Sequence, residues 1–494
     1  MNIVYMPAGR MVWQDVSKKF YEKSMYPKIW LGDPVHDEYA KHNYKDCLVL
    51  DFYGMHKVIS KEKSKLNLAF NFSADKYFYM LKDQVYKMMD RQDDFGVFGR
   101  LEREAFFYSL FFYFHTIVIE KNIEVLVASE GPHSPVSMVL YGVCKILGIK
   151  TYHLEQNSIT PVAHISTDFY GSKIKLSNGY DYSKHTNVMS KYVSLITDDI
   201  PSPYYMENQK KFDRKAEGFG FKFNKYIARP FKNYIFKRNK EHGYSVYRRD
   251  FFKDNHRPLL YENIIAKRKK ELFFEHESYL SRFSFEQLFV YVPLHYEPEK
   301  TSNPDGGEFY NAYDMIMWLR SFVPDDIVIV LKEHYSQFTN KMYGYRGRSP
   351  LFYQAISVLH NVVFIDITIP SSELIKRSVF VATQTGSAAL EASLMQKKSL
   401  VFGAPWFLGA PNIHFYKSII SFDDFSKQEV FEKGDVERYL LSYVSDYTIP
   451  ACVNPSGESD FKIKFGVFFD ELIDDEFFSI ALTDIIYKDA INVK

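Results

Sequence analysis

Short runs of branched and aromatic residues alternate with longer helical stretches twice along this chain, and that alternation restricts the fold more than any other feature. The first series holds NIVYMPAG, PKIWLGD, CLVLDFYG, EVLVASEG and KTYHLEQ, several of them closing on Gly, Asp or Glu. Stretches with helical periodicity lie between them, such as Leu101 to Asn122 and Val136 to Leu147. Strand, helix and strand in repetition imply a parallel sheet covered by helices on both faces. The pattern lapses after about Ser202 and resumes at QLFVYVPLHYEPE, followed by DDIVIVLKEHY, NVVFID, SVFVAT and SLVFG. We therefore expect an α/β protein with two Rossmann-like parallel-sheet domains facing a central cleft. The boundaries read as a first domain over 1–202, a basic insert over 203–284, a second domain over 285–455 and an acidic helical tail over 456–494.

The 494 residues suffice for two or three cores. AFFYSLFFYFHTIVI, from Ala105 to Ile119, is too short and too interrupted to span a bilayer and reads as a buried helix. The opening MNIVYMPAGR has no basic segment followed by a long apolar one and no small-residue cleavage site, so no secretion signal is expected. Cys47, Cys144 and Cys452 lie far apart without metal-ligand spacing. That fits a reducing cytoplasm and argues against a disulfide frame or a zinc site. The net charge of +1 conceals an asymmetry, because Lys210 to Lys270 holds 19 Lys and Arg against 6 Asp and Glu, leaving −12 on the rest. Phe219, Phe221, Phe223, Tyr226, Phe231 and Tyr234 are interleaved with those cations. The segment suits peripheral contact with an anionic membrane or a lipid-linked acceptor. A solvated helical arm is the competing reading, and no nucleic-acid partner is expected.

Ligands of parallel α/β sheets bind at the carboxyl ends of the strands, which directs the search to those loops. In VATQTGSAALEASLMQKKSLVFGAP, Thr385-Gly386-Ser387 stands between a strand and a helix, with Glu391 on the helix face below Ser387. Gly386 lets a ligand approach the main chain, and Thr385 or Ser387 is placed to cap the helix, whose free amides favour an anion. A capped helix that binds nothing is the alternative. YVPLHYEPEKTSNPDGGEFYNAYDMI delivers His295, Glu297 and Glu299 into a long polar loop, a form that α/β proteins use for function. VLKEHYSQF places Lys332, Glu333 and His334 at a strand end, where a cation and an imidazole suit a phosphodiester or a carboxylate-bearing sugar. A structural Lys-Glu pair competes there. In the first half, VASEGPHSP sets Glu130 and His133 at a strand end as candidate general base or nucleophile, with Asp51 of LVLDFYG a further candidate. A dressed helix N-terminus, with Ser134 and Glu130, is the competing reading.

FVYVPLHYEPEKTSNPDGGEFY, IVLKEHY, TQTGSAALEA and LVFGAPWFLG, in that order, resemble the bacterial capsule polysaccharide biosynthesis family, which includes Kdo (3-deoxy-manno-octulosonic acid) transferases. SEGPHSPVSMVLYGVCKILGIKTY is similar to a segment in the first half of related surface-polysaccharide proteins, and the likeness covers about half the chain, from Phe289 to Gly409 above all. The resemblance implies a GT-B glycosyltransferase with its sugar nucleotide in the second domain, its acceptor against the first and no obligatory metal. By position, it turns His334 and Thr385-Gly386-Ser387 to the nucleotide phosphate and Glu391 to the ribose, with His295 and Glu299 lining the cleft. Tyr335 stands where the family often has Pro, and Ser387 and Ala389 where it often has Thr and Gly, so the donor stays open between CMP-linked and UDP-linked. The absence of an Asp-x-Asp motif is consistent with a metal-free enzyme. A sugar-nucleotide epimerase and a non-catalytic scaffold of a polysaccharide assembly complex remain the alternatives.

Overall fold

A computed structural model describes residues 1–55, 58–59, 76–93, 99–176, 179–196, 261–339, 342–451, 453 and 471–492. They fall into two compact units, one drawn from 1–194 and 437–492, the other from 195–436. Both are α/β, each built on its own largely parallel sheet. The membrane-facing reading of the basic insert falls on residues that lie, apart from 261–284, outside those described.

The first unit places β1 (Asn2–Met6), β2 (Tyr26–Trp30), β3 (Leu48–Val49), β4 (Val125–Ala128), β5 (Lys150–Gln156), β6 (Val162–Ser166) and β13 (Thr448–Pro450) in the order β13-β6-β5-β4-β1-β2-β3. β1 to β5 run parallel, while β6 is antiparallel to β5 and β13 antiparallel to β6. The parallel strands are continuous apolar runs because helices cover both faces. On one face lie α3 (Lys76–Gln92), α4 (Arg100–Glu120) and α5 (Pro135–Ile146), packed through Phe107, Phe111, Phe114 and Tyr141. α4 carries the apolar stretch from Ala105 to Ile119, whose interior, with Phe107, Leu110, Phe111 and Phe114, is buried as expected while Ala105 and Ile119 at its ends are exposed. On the other face are α1 (Val12–Glu22) and α14 (Asp475–Ile491), with the rings of Trp13 and Phe478 5.5 Å apart. α2 (Asp37–Asn43), α6 (Ser183–Leu195) and most of α13 (Lys433–Tyr447) complete the unit's helices as far as it is described.

The second unit holds β7 (Phe289–Pro293), β8 (Val328–Lys332), β9 (Val362–Ile365), β10 (Phe380–Thr383), β11 (Ser399–Val401) and β12 (Ile413–Phe415), all parallel, in the order β12-β11-β10-β7-β8-β9. α7 (Tyr261–Ser278), α8 (Ala312–Phe322), α9 (Pro350–Ser357) and α12 (Phe422–Lys427) back one face, and α10 (Ser371–Arg377) and α11 (Ala388–Leu394) the other. α13 (Lys433–Tyr447) leads into β13.

Counted within each unit, six strands follow the order 3-2-1-4-5-6 of the doubly wound nucleotide-binding sheet. The strand order reverses between β1 and β4 in the first unit and between β7 and β10 in the second. Two expectations need correction. The second domain does not continue to 455, because Thr448–Pro450 pairs with β6 of the first sheet. The acidic helical tail is not a segment of its own either, since α14 packs its Phe478, Leu482 and Ile486 into the first unit's core.

Candidate functional site

β7 and β10 are neighbours at the point where the second sheet reverses, and their carboxyl ends open the crevice in which such sheets hold ligands. His295, two residues beyond β7, is joined there to the end of β10. Its Nε2 accepts from the Thr385 amide at 3.2 Å and from the Thr383 hydroxyl at 3.2 Å. An accepting Nε2 fixes the tautomer, so Nδ1–H donates to Thr301 Oγ1 at 3.2 Å. Thr301 in turn donates to Glu299 Oε2 at 3.1 Å. The Gly386 amide donates to Thr383 Oγ1 at 3.3 Å, and the Thr385 hydroxyl to the Thr301 carbonyl at 2.6 Å. The polar loop after β7 is thus laced to the turn after β10. Gly386 is required by close approach: a Cβ there would stand 2.8 Å from Thr383 Oγ1 and 3.5 Å from His295 Nε2.

The turn into α11 departs from the expected cap. Ser387 occupies the cap position with helical angles (φ −57°, ψ −21°) and no side-chain cap, and α11 has only 7 residues. The Ser387 hydroxyl instead donates to Glu391 Oε1 at 3.0 Å, which confirms that the two share a helix face. Because the amides of Thr385 and Gly386 are engaged by His295 and Thr383, an anion at this turn meets a pre-organised polar edge, not a row of open amides.

At the end of β8, Lys332, Glu333 and His334 point to three different partners. Lys332 Nζ donates to the Ile369 carbonyl at 2.6 Å and to Ser371 Oγ at 3.0 Å, and burial lowers its pKa to about 8. Glu333 is wholly buried, and its partner is Arg348, not Lys332. Arg348 Nε reaches Glu333 Oε1 at 2.8 Å, and Tyr353 donates to the same oxygen at 3.0 Å. Arg348 Nη2 also donates to the His295 carbonyl at 3.2 Å, so one guanidinium ties the loops after β7 and β8 together. Glu333 therefore belongs to the scaffold beneath the site. His334 Nδ1 accepts from the Ser336 amide at 3.1 Å, leaving its proton on Nε2. Burial, then the neighbouring charges of His295 and Lys332, pushes its pKa down to about 4, so at neutral pH it is an uncharged donor. Thr383, Thr301 and Arg348 were not picked out from the sequence. Thr383 ends a strand within the quoted SVFVAT run, whereas Arg348 sits in a loop without any periodic signal.

The first unit treats its switch point differently. Glu130 and His133 follow β4, with His133 Nδ1 4.0 Å from Glu130 Oε1 and 3.0 Å from the Gly131 carbonyl. Both side chains are a little over a third exposed. Ser134 and Ser137 form a reciprocal cap on α5, with Pro135 in its first turn, so part of the structural reading holds here. Asp51 lies after β3, three strands from β4 in the sheet and therefore about 14 Å away at ordinary strand spacing. Its Oδ1 accepts from the Tyr53 and Gly54 amides at 3.1 and 3.0 Å, which makes it a turn residue outside the Glu130–His133 pair. One pair was overlooked in KTYHLEQ: Glu155 Oε1 lies 3.3 Å from Nε2 of the fully buried His153 at the end of β5, beside β4. Among the described residues no group of three or more His, Cys, Asp or Glu is arranged to hold a metal ion, and no helix is long and apolar enough to cross a membrane.

No family model and no curated protein sequence matches the chain. Solved structures do match. A KpsC β-Kdo 2,7 transferase from Thermosulfurimonas dismutans is 11% identical over 81% of this chain and 97% of its own, with a TM-score of 0.26. A UDP-GlcNAc 2-epimerase from Methanocaldococcus jannaschii is 10% identical over 99% of this chain and 100% of its own, with a TM-score of 0.21. MurG from Acinetobacter baumannii is 8% identical over 90% of this chain and 94% of its own, at 0.19.

Proposed function

We propose that the protein is a glycosyltransferase that binds a nucleotide-linked sugar at the carboxyl ends of β7 and β10 and passes the sugar to a glycan or glycolipid of a bacterial surface polysaccharide. The observation that carries this reading is the lacing of His295 to Thr383 and Thr385, 88 and 90 positions along the chain, at the switch point of a sheet in the nucleotide-binding order. The resemblance of the same segments to the capsule polysaccharide family supports it, and Kdo is the sugar that the resemblance implies. In this reading the donor is CMP-linked or UDP-linked, and no further cofactor takes part. Ser387 and Glu391 hold the ribose side, His334 gives its Nε2–H to a phosphate oxygen, and His295 and Glu299 stiffen the edge that the donor meets. Catalysis then rests on positioning and on stabilising the charge of the departing nucleotide. Glu130 is the acceptor-activating base, with His133 beside it.

Calorimetric titration with CMP and UDP tests the donor site. A bulky residue at Gly386 collides with Thr383 and His295 before it meets any ligand, so Ser387→Ala and Glu391→Gln are the cleaner probes. Each should weaken nucleotide binding while leaving circular dichroism unchanged, Ser387→Ala by about 1 kcal/mol if one neutral hydrogen bond is lost. Folded wild type that binds neither nucleotide contradicts the reading. Turnover of a free sugar nucleotide without any acceptor would favour an epimerase instead.

A further inference from the structure

His295, Glu299 and Thr301 stand on the loop after β7, beyond the β7–β8 ladder, at whose end the Leu294 amide donates to the Lys332 carbonyl at 2.9 Å. Further along that loop a side chain takes over the work of a strand. Gln337, at the end of the short turn Tyr335–Gln337 after β8, is buried. Its Oε1 accepts from the Glu297 amide at 2.9 Å, and its Nε2 donates to the Glu297 carbonyl at 3.2 Å. One primary amide thus meets both main-chain groups of Glu297, as a neighbouring strand would. Nε2 also donates to the Gly344 carbonyl at 2.7 Å. The orientation of the amide is fixed, because turning it over would set its oxygen against two carbonyls. Gly344 and Gly347 leave no room for a Cβ, which would run into the backbone of Gln337 and of Glu297. His295 is therefore held on both sides, by Leu294 before it and Glu297 after it. Its own carbonyl is bonded by Arg348 Nη2 at 3.2 Å.

We infer that Gln337 is a positioning residue of the donor site: by fixing the main chain of Glu297 it sets His295 Nε2 against the Thr385 amide, and through that contact the affinity for the nucleotide. This inference rests on the proposed nucleotide site. A residue that braces the whole unit protects every amide of the sheet alike. One that positions His295 acts on the turn after β10 and leaves the sheet beneath it as it was. Amide hydrogen exchange separates the two. The Thr385 amide is bonded to His295, whereas the amide of the buried Ile329 is bonded to the Asn361 carbonyl at 2.9 Å, between β8 and the entry to β9.

The test measures exchange at these amides and titrates CMP and UDP into wild type, Gln337→Met and Gln337→Glu. Gln337→Met keeps the length of the side chain and removes its hydrogen bonds. It should speed exchange at Thr385 by about tenfold or more, weaken the nucleotide by a similar factor and leave exchange at Ile329 unchanged. Gln337→Glu should regain part of the protection at Thr385 as the pH is lowered from about 8 to about 6, because a buried carboxyl takes up a proton and then donates one bond. Unchanged exchange at Thr385 in folded Gln337→Met overturns the inference, and so does faster exchange there with unchanged nucleotide affinity. Equal acceleration at Thr385 and Ile329 with a lowered melting temperature, or loss of folding in both variants, also overturns it, by making Gln337 a brace of the whole unit. Wild type that binds neither nucleotide contradicts the donor-site reading itself.

Discussion

The two units share a strand order but not a way of building the crevice that this order creates. In the second, side chains from separated loops cross-link the switch point: His295, Thr301, Thr383, Thr385 and Arg348 each bridge elements that are distant in sequence. In the first, backbone contacts join the corresponding ends, such as the Ser129 amide on the Met6 carbonyl at 2.9 Å and the Asp33 amide on the Pro7 carbonyl at 3.0 Å, with the buried His36 as a side-chain tie, its Nε2 2.7 Å from the Ala8 carbonyl. Its candidate groups, Glu130 and His133, stand partly exposed, and Arg91 Nη1 on α3 donates to the His133 carbonyl at 3.3 Å. A laced crevice holds a fixed shape for a ligand recognised in detail, as the proposed donor site requires, whereas the proposed acceptor side requires chiefly a base within reach. The shared order says where to look, and the side-chain lacing distinguishes what each place can do.

The sharpest way to break this contrast is to remove its central tie. Arg348→Ala leaves Glu333 buried without its counter-charge, and such losses cost about 3–5 kcal/mol. Denaturant unfolding should show that loss, with nucleotide binding abolished in whatever remains folded. Unchanged stability would mean that the pair is not a tie. Thr383→Val comes next, since it strips the hydroxyl between His295 Nε2 and the Gly386 amide and should cost about 1–3 kcal/mol by leaving buried polar groups unmet. Isothermal titration should report weakened nucleotide binding beside it.

Acid sharpens the contrast further. His276 is fully enclosed by the rings of Phe338, Tyr353 and Phe364, and burial lowers its pKa to about 4. Glu277 beside it and the more distant Asp366 pull upward, while Arg348 pushes down. His334 in the same unit is depressed to about 4 as well, and His185 plays that part in the first unit. A histidine whose folded pKa lies below its unfolded value of about 6.5 contributes stability above that value and loses it as pH falls toward the folded pKa. Melting temperature should therefore drop between about pH 6.5 and pH 4. His276→Phe should make that drop shallower, and an identical profile would exclude His276 as a source. The smallest structural effect belongs to the first unit: Glu130→Gln and His133→Ala should change stability by less than about 0.5 kcal/mol while sharply lowering transfer. Wild-type turnover in both would move the catalytic group elsewhere.

Much of this architecture was legible because parallel strands covered on both faces leave continuous apolar runs, as in FVYVP, VIVLK and FVAT. The polar residues that close those runs then marked His295 and Lys332–His334. Three strands were missed. β6 and β13 are antiparallel additions at one edge, and β12 sets His414 between Ile413 and Phe415, without the continuous apolar run of its neighbours. β13 also moved the end of the chain into the first unit, something no local pattern in Thr448–Pro450 announces. Arg348 and Thr301 escaped notice because a tie between loops is a tertiary fact: neither residue has a helical or strand neighbour pattern to betray it. The cap expected at Ser387 failed for a local reason, since Glu391 one turn on offers the hydroxyl a better acceptor.

The most direct measurement is a parallel calorimetric titration of CMP and UDP into wild type, Thr383→Val and Glu130→Gln. We expect one of the nucleotides to bind wild type and Glu130→Gln alike, and to bind Thr383→Val clearly more weakly. Absence of nucleotide binding in folded wild type, or a loss confined to Glu130→Gln, would contradict the assignment of the nucleotide to the laced crevice of the second unit.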